Sequence, residues 1–494
     1  MKKGLDDSNN TFKIIAWAMF LVFVSCTLYF RLADGSEWAR SWDQVDFALG
    51  VKQYDLFSMQ PHFPGYPYFI LGGMIVHKWV QDPVYALSVF NTILTLSSLV
   101  PIFLLFKRRF PVLQALLFTS VIHSMGYLWV MSTEAMSEAS ALSVLWWYIW
   151  SLYQADRSSA LRWRILPLLV FSILMGVRLS YLPFGLGILW LWWRERRAFQ
   201  TKKSYVQYVL SKAGIAAAFQ FIWVVGLVLS TGSTSTFIEL AFGFAAGHFT
   251  EWGGAVTADS MPLWERVALL LFYNLIWTAL SARSWIILGL YALLTLLVIF
   301  QFSKTKLRKD AFLQGILLLC TAYFLWALFA QNVDKPRHIL PLSGLFVYLL
   351  LHIYADRAKV YIIGVCLSLV IVQTWVGQGL AEEKAENPPA VYQLTQYISE
   401  LNGQKVVYTW EESRVMSYLQ VDYTHKKILT YDYFQSELSY NKDKRVLLTD
   451  HVVKGFENQG YDLQGRVRKI AEFSSSNLFD PVYGKIELYE WTWK

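Results

Sequence analysis

Charged residues and cysteines are both scarce in this sequence, and each shortage excludes a class of protein. Only 16% of the 494 residues are charged, whereas soluble proteins carry about 25%. The three cysteines, Cys26, Cys320 and Cys366, each lie inside an apolar run. They are typical of small core residues, and their spacing fits neither a disulfide framework nor a cysteine metal site. The composition therefore excludes a soluble or disulfide-stapled protein.

Long apolar runs are the dominant feature of the chain. They recur from residue 13 to residue 377, and hydrophobic residues make up 55% of the sequence. Such runs predict transmembrane helices, because a helix satisfies its own backbone hydrogen bonds in lipid. The 22 tryptophans and 28 tyrosines are typical of interfacial belts. The net charge of +8 requires no nucleic-acid partner, because lysine and arginine cluster in short loops. We expect an all-α polytopic membrane protein whose environment is the lipid bilayer.

The positions of the basic residues predict the topology. Lys2, Lys3 and Lys13 precede an apolar run that lacks a cleavage site, which predicts an uncleaved anchor and a cytoplasmic N-terminus. The segments 67–80 and 267–282 are short for a span, and crossing would place later basic loops outside. Both segments are therefore predicted to lie at the outer surface. The basic loops are KRR at 107–109, RERRAFQTKK at 194–203, KTKLRK at 304–309 and DRAK at 356–359.

About eleven transmembrane helices remain, and an odd number places the C-terminus outside. We predict a transmembrane domain over 1–377 with two large external loops, 31–83 and 231–283. Residues 378–494 alternate short β-rich runs with helical ones, which predicts a small extracytoplasmic α/β domain. The runs are KVVYTW at 405–410, EESRVMSYLQ at 411–420, KKILTYD at 426–432, RVLLTD at 445–450, VVKGFENQG at 452–460 and GKIELYEW at 484–491. The predicted spans cover residues 13–30, 84–106, 110–131, 139–153, 164–180, 181–193, 206–229, 284–302, 311–330, 338–354 and 360–377.

The first external loop combines acidic residues with a rigid corner. Asp43 and Asp46, three residues apart in SWDQVDFALGVKQYD, are predicted to share one side of an amphipathic helix on the membrane surface. The following stretch, QPHFPGYP, holds His62 and Tyr66 among three prolines. Because proline fixes φ, this corner is predicted to be stiff. An ordinary solvated loop explains the same spacing, so the residues alone leave both interpretations open.

Three further segments place polar side chains on the same outer face. Glu134 and Glu138 are one helical turn apart in STEAMSEAS, and Arg178 lies between two apolar runs. Arg337 and His338 begin a predicted span in KPRHILPL. Each of these also fits an ordinary solvated or snorkelling side chain at a span end. Taken together, the carboxylates suit a general base and the cations suit a phosphate group.

The order of these motifs resembles that of the polytopic GT-C glycosyltransferases. The first loop is similar to the family's external Asp helix and its His-Pro-Pro-Gly-Tyr-Pro-like corner, with Phe63 at a usual proline. STEAMSEAS resembles the second acidic loop, and GVRLSYLPFGLGILWLW resembles the Gly-x-Arg/Lys span pair. KPRHILPL is similar to the late Arg-Tyr-Leu-Leu-Pro element, with His338 in place of tyrosine. The resemblance covers roughly residues 13–377. It is to the GT-C enzymes that include the protein O-mannosyltransferases and the aminoarabinose transferases, and the chain is similar to glycosyltransferase family 39.

This resemblance implies an enzyme that moves a sugar from a polyprenyl-phosphate donor to an acceptor hydroxyl outside the cytoplasm, with inversion at the anomeric carbon. It implies Asp43 as the catalytic base, with Asp46 as the second choice. Some members use a divalent metal and others do not; the sequence shows no metal cage, so no metal ligand is assigned. The acceptor, whether a protein, a glycolipid or a wall polymer, stays open. The substrate-binding candidates are His62, Tyr66, Glu134, Glu138, Arg178, His248, Glu251, Arg337 and His338.

Two other functions also fit a polytopic protein. A flippase or transporter for lipid-linked sugars would place ionisable groups near the bilayer midplane, in paired halves. The sequence shows neither feature. A membrane-anchored protein of cell-envelope assembly would not need polar external loops at 31–83 and 231–283. Both functions are kept as alternatives to the transferase.

Overall fold

The computed structural model describes residues 2–251, 253–257, 260–299, 310–353 and 360–493. The basic segments 304–309 and 356–359, which the sequence analysis assigned to the cytoplasm, lie outside these described residues. The α-helices are Lys2–Ala33, Trp42–Lys52, Pro67–His77, Pro83–Ser97, Leu99–Lys107, Val112–His123, Gly126–Ser132, Glu138–Arg157, Leu161–Val177, Leu186–Glu195, Lys202–Ser230, Thr234–Thr250, Leu263–Ala268, Trp285–Ile299, Ala311–Ala330, Leu340–Ile353, Val360–Glu386, Ala390–Glu400, Glu412–Tyr418, Tyr431–Ser439 and Asp450–Asn458. Leu269–Leu280 is a π-helix, and Leu179–Gly185, Arg196–Ala198 and Pro336–Ile339 are 3₁₀-helices.

Several of these helices are long and apolar enough to cross a membrane. Within the described ranges there are six such helices, or seven if the bent pair Val112–His123 and Gly126–Ser132 forms one span. One of the six is Leu263–Leu280, whereas the sequence analysis placed 267–282 at the surface. Length and composition do not decide between these placements, and the count of eleven spans stays a prediction. The six are Thr11–Ala33, Pro83–Lys107, Lys202–Ser230, Leu263–Leu280, Ala311–Ala330 and Val360–Glu400.

The helix Trp42–Lys52 in the first external loop begins where its sequence provides a cap. The side chain of Ser41 accepts a hydrogen bond from the backbone N–H of Gln44, which satisfies one of the free donors of the first turn. Asp43 therefore lies in that first turn, where a carboxylate is favoured by the helix dipole. This helix is buried more deeply than the amphipathic surface helix that was predicted, because both the bundle and the C-terminal domain contact it.

The proline-rich corner is packed directly against this helix. Pro61 lies so close to Gly50 that any side chain at position 50 would overlap the proline ring. Gly65 has a φ of +86°, and a Cβ there would meet Tyr54. The Tyr54 hydroxyl donates to the Gly65 carbonyl at 2.8 Å, and Pro67 begins the next helix. The corner thus supports the helix Trp42–Lys52 through side-chain packing, without strands that pair with it.

The C-terminal residues form a five-stranded mixed sheet. Its strands are β1 (Lys405–Thr409), β2 (Thr424–Lys427), β3 (Arg445–Thr449), β4 (Val467–Ser474) and β5 (Lys485–Trp491). The strand order is β2-β1-β3-β5-β4, with β1 parallel to both β2 and β3, and β5 antiparallel to β3 and β4. A small C-terminal α/β unit was predicted, and the sheet bears this out. The sequence analysis missed β4, which is mostly exposed and carries little apolar periodicity.

The alternation of side chains along the strands divides the sheet between two cores. Val407 and Leu447 point towards the bundle and join its hydrophobic core. Their neighbours Val406 and Val446 belong to a separate core on the opposite face. The helix Val360–Glu386 runs without a break past residue 378, where the polar tail was predicted to begin. The sheet is therefore packed onto one end of the bundle and is not a tethered appendage.

Candidate active site

Four of the predicted residues form one continuous chain of alternating charge. Arg337 contacts two carboxylates, with Nη2 at 2.8 Å from Asp43 Oδ2 and Nε at 2.9 Å from Glu138 Oε1. Arg178 Nη2 lies 3.0 Å from the same Glu138 oxygen. The order is Arg178–Glu138–Arg337–Asp43, and three of its four side chains are almost fully buried. Asp43 is the exception, with 31% of its side chain exposed.

Each member of this chain is placed by the end of a helical element. Glu138 is the first residue of its helix and so benefits from the dipole. Arg178 follows directly after the helix Leu161–Val177, and its extended backbone ends that helix. Arg337 belongs to a short 3₁₀-turn that precedes the next helix. Helix ends from four distant parts of the sequence thus converge at one point.

A second polar chain runs from the proline corner to the C-terminal domain. His62 Nδ1 lies 3.0 Å from Asp46 Oδ2, and its Nε2 lies 3.3 Å from the Tyr66 hydroxyl. Arg414 of the C-terminal domain contacts Asp46 Oδ1 at 2.8 Å and donates to the carbonyls of Ser58 and Met59. The Asp46 side chain is fully buried. This position favours a structural role for Asp46 and leaves Asp43 as the acid that can meet a substrate.

We expect Arg414→Ala to destabilise the docked C-terminal domain. The substitution would leave the buried Asp46 carboxylate with His62 as its remaining side-chain partner, and removing one partner of a buried ion pair costs about 3–5 kcal/mol. Thermal unfolding in detergent and protease sensitivity of the C-terminal domain measure the effect. Lys442→Ala is the matched control, because Lys442 is exposed in the loop that precedes β3 of the same domain. A combined Arg414→Ala and Asp46→Asn variant should lose less than the sum of the two changes. Additive losses would show that the two side chains are not coupled.

A cavity beside Asp43 lies between the bundle and the C-terminal domain. Besides the predicted residues Asp43, Glu134 and Arg337, it is lined by Lys335, which begins the KPRHILPL motif. It is also lined by three charged side chains that the sequence analysis did not single out, Arg40, Glu411 and Asp480. The sequence carried little signal for these, because they come together only when the sheet docks on the bundle. The other lining residues are Ser41, Trp42, Gln44, Tyr127, Met131, Leu478, Phe479, Pro481, Val482 and Tyr483.

Positive charge lowers the pKa of Asp43. Burial alone would raise it, but the charges of Lys335, His62, Arg337 and Arg178 outweigh burial and hold the pKa of this carboxyl well below its usual range. Asp43 is therefore ionised at neutral pH.

Glu134 titrates much closer to neutrality than an ordinary glutamate. Burial raises its pKa to about 7, and the charges of Lys384, Glu138 and Arg337 partly offset one another. Gln44 Nε2 donates to its carboxylate at 3.3 Å. Lys384 Nζ donates a hydrogen bond to the Val130 carbonyl, at 2.7 Å, and not to the Glu134 carboxylate. One site thus holds an acid that stays ionised and an acid that exchanges its proton near pH 7.

We expect the contribution of Glu134 to thermal stability to fall as the pH rises from about 5 to about 7. Its pKa is raised in the folded state, so in this window the folded protein holds a proton that the unfolded chain has lost, and stability decreases with pH. The expected change is on the order of 1–3 kcal/mol. Unfolding temperatures measured across this pH range should therefore decrease less, or increase more, with pH in Glu134→Gln than in the wild type. Glu457→Gln, at an exposed position, is the control. An unchanged slope in Glu134→Gln would assign the titration to another group.

The cavity is not lined by three further predicted residues, His338, His248 and Glu251. His338 is held by the Asn332 carbonyl at 3.0 Å from its Nδ1. His248 contacts the Ala330 carbonyl through Nε2 at 2.8 Å, and Glu251 is exposed at the end of the same helix. These positions favour structural roles, and their function as substrate ligands stays a prediction.

The arrangement of the acids does not fit a metal ion. Among the described residues, no group of three or more His, Cys, Asp or Glu side chains is placed to hold one. The carboxylates at the cavity point at guanidinium and amide groups instead. The mechanism proposed below therefore includes no metal step.

The sequence and the structure give different results when compared with known proteins. No protein-family model and no curated protein matches the sequence. The structure is similar to ArnT from Cupriavidus metallidurans in the apo state, with a TM-score of 0.56 and 9% identity over 96% of this chain and 98% of that one. ArnT from the same organism bound to undecaprenyl phosphate gives a TM-score of 0.54, with the same identity and coverage. The chain thus has the GT-C fold, and the resemblance read from its motifs is confirmed at the level of fold.

Proposed function

We propose that this protein is a membrane glycosyltransferase that transfers a sugar from a polyprenyl-phosphate donor to an acceptor hydroxyl at the outer face of the membrane. The observation that carries the proposal is the chain Arg178–Glu138–Arg337–Asp43 beside a polar cavity. It combines a carboxylate that can take a proton with guanidinium groups that can bind a phosphate. The GT-C fold supports this assignment, and the ArnT structure bound to undecaprenyl phosphate supports the class of carrier.

Arg337 is the residue we assign to the departing phosphate. When the bond between the anomeric carbon and the phosphate oxygen breaks, negative charge grows on the carrier phosphate, and a guanidinium stabilises it. Arg337 lies at the cavity, whereas Arg178 is one step further back and is held by Glu138 and by the Ser137 hydroxyl at 2.8 Å. We therefore assign direct contact to Arg337, with Arg178 supporting it through Glu138.

Asp43 is the base in this proposal, and donor binding makes it a better one. In the free protein the charges of Lys335 and His62, and then the paired guanidinium of Arg337, lower the pKa of Asp43 and weaken it as a base. A bound phosphate shares the same guanidinium, so the pKa of Asp43 rises as the donor arrives. The acceptor hydroxyl gives its proton to Asp43, its oxygen bonds to the anomeric carbon, and the carrier leaves as polyprenyl phosphate. Attack opposite to the leaving group inverts the anomeric configuration.

The placement of the site at the outer face follows from two features. The basic loops predict a cytoplasmic N-terminus and an external first loop, which holds Asp43. The C-terminal domain covers the same end of the bundle, so a bulky acceptor can approach from the aqueous side. A lipid donor can approach from the bilayer, because the cavity lies at the ends of the helices.

The test uses the purified protein in lipid vesicles and a panel of radiolabelled polyprenyl-phosphate sugars with cell-envelope extracts as acceptors. We expect one donor to lose its lipid-linked label in an acceptor-dependent way, and the anomeric configuration of the product to be inverted. Boiled protein is the control for spontaneous hydrolysis. If no donor is consumed while labelled lipid crosses between leaflets, the protein is a transporter and the proposal fails. If neither occurs, the envelope-assembly alternative takes its place.

A further inference from the structure

The strand order of the C-terminal sheet has a switch point between β1 and β3, of the kind that marks ligand sites in α/β proteins. We call the space outside the carboxyl ends of these two strands the crevice. From β1 the chain passes to β2 on one side, and then returns to β3 on the other side of β1. In open α/β sheets, ligands bind outside the carboxyl ends of the strands at such a switch point. Here Glu411 follows β1, and Asp450 and His451 follow β3 directly. Polar side chains therefore follow the carboxyl ends of both strands that flank the crevice.

This crevice opens onto the cavity that holds Asp43. Glu411 and Tyr483 of the C-terminal domain both line that cavity, together with Arg337 of the bundle. The Tyr483 hydroxyl donates to the Glu411 carboxylate, and its ring lies 5.4 Å from the His451 ring. Burial, and then the carboxylates of Glu411, Glu412 and Asp43, raise the pKa of Tyr483, so its hydroxyl stays protonated as a donor. The switch point and the candidate base thus share one space.

The loop that carries Tyr483 is fixed to the bundle. Asp480 pairs with Arg40 at 3.1 Å, and both side chains are almost fully buried. Ser475 donates to the same carboxylate at 2.6 Å, and Arg40 also contacts the Lys384 carbonyl. Because these contacts join the sheet to the bundle, the distance from Tyr483 to Asp43 is set by the folded structure. A ligand held at the crevice would therefore meet Asp43 in a constant geometry.

The chemistry of this side of the cavity suits a ligand rich in hydroxyl groups. Glu411 and Asp480, which both belong to the C-terminal domain, accept hydrogen bonds and repel anions. The Tyr483 hydroxyl donates one in return, and its ring offers an apolar face. The cations that suit a phosphate, Arg337 and Lys335, come from the bundle and not from the sheet. The two sides of the cavity thus differ in the ligand that they favour.

Resting on the proposed function, we propose that Glu411 and Tyr483 form the acceptor subsite and bind a saccharide, holding its reactive hydroxyl next to Asp43. The C-terminal domain then determines which acceptor is used, and the bundle determines the donor. The carboxylate and the phenol accept from and donate to the sugar hydroxyls without taking part in the proton transfer.

The test compares Glu411→Gln and Tyr483→Phe with the wild type in lipid vesicles. We expect each to raise the acceptor concentration for half-maximal rate about tenfold, since each loses a hydrogen bond to the acceptor. Binding of undecaprenyl phosphate should stay within twofold. Tyr440→Phe and Glu457→Gln, both at exposed positions of the same domain, are matched controls. Thermal unfolding of each variant detects loss of fold.

A second measurement separates this proposal from the proposed function. Binding of labelled saccharides from an envelope extract is measured without donor, by equilibrium dialysis. Saccharide binding that is weaker in both variants supports the subsite even if no donor is ever consumed. Equal saccharide binding in variants and wild type overturns the subsite. A loss of undecaprenyl-phosphate binding in the variants also overturns it, because the residues would then serve the donor.

Discussion

Asp43→Asn is expected to reduce sugar transfer by about 10³-fold or more while leaving donor binding intact. A positioned general base contributes about 10²–10⁴ in rate. Asparagine keeps the size of the side chain and can still accept a hydrogen bond from Arg337, but it cannot take the proton of the acceptor. The initial rate of loss of lipid-linked label measures the chemical step, and equilibrium binding of undecaprenyl phosphate measures the donor site.

Two further variants make this prediction specific. Asp422→Asn, at an exposed position of the C-terminal domain, should transfer at the wild-type rate. Asp46→Asn should lower stability through its contact with Arg414 and should affect transfer less than Asp43→Asn. If Asp43→Asn retains more than a tenth of the activity, Asp43 is not the base. Glu134 is then the next candidate, because it lines the same cavity and its pKa is raised to about 7.

The parts of this fold that the sequence predicted are those with a local cause. Apolar runs predicted most of the long helices, and short β-rich runs predicted β1, β3 and β5, because each pattern reflects burial within one element. Asp43, Glu138, Arg178 and Arg337 were all among the candidates, since polar residues at span ends stand out against an apolar background. Their connection into one chain was not predictable, because it depends on how four helix ends pack.

The parts that the sequence did not predict depend on long-range docking. Arg414 contacts Asp46 across 368 residues, and it lies in a stretch that reads as an ordinary helix of a soluble domain. Lys384 follows an apolar run and reads as the start of a polar tail, although it is fully buried. The length of the helix past residue 378 has the same cause, because the sheet covers side chains that would otherwise be solvated. Burial of these charges is a property of the assembled structure and not of any segment.

Arg337→Gln is expected to weaken undecaprenyl-phosphate binding about 100-fold or more and to abolish transfer. The Arg337 guanidinium lines the cavity and also pairs with Asp43, the candidate base. Charge-assisted hydrogen bonds to phosphate are the strongest polar contacts available. Removing it also leaves Asp43 and Glu138 facing each other without the charge between them, which should cost about 3 kcal/mol or more of stability. Donor binding, transfer rate and unfolding temperature are measured on the same preparation.

Arg337→Lys distinguishes the geometry of this residue from its charge. A guanidinium reaches Glu138 through Nε and Asp43 through Nη2 at the same time, whereas a lysine ammonium is one point charge and does not span both. We therefore expect Arg337→Lys to recover part of the donor binding and little of the transfer rate. Arg162→Gln, at an exposed position, is the control for loss of a positive charge. Full recovery by lysine would mean that charge alone matters, and the link between donor binding and the pKa of Asp43 would fail with it.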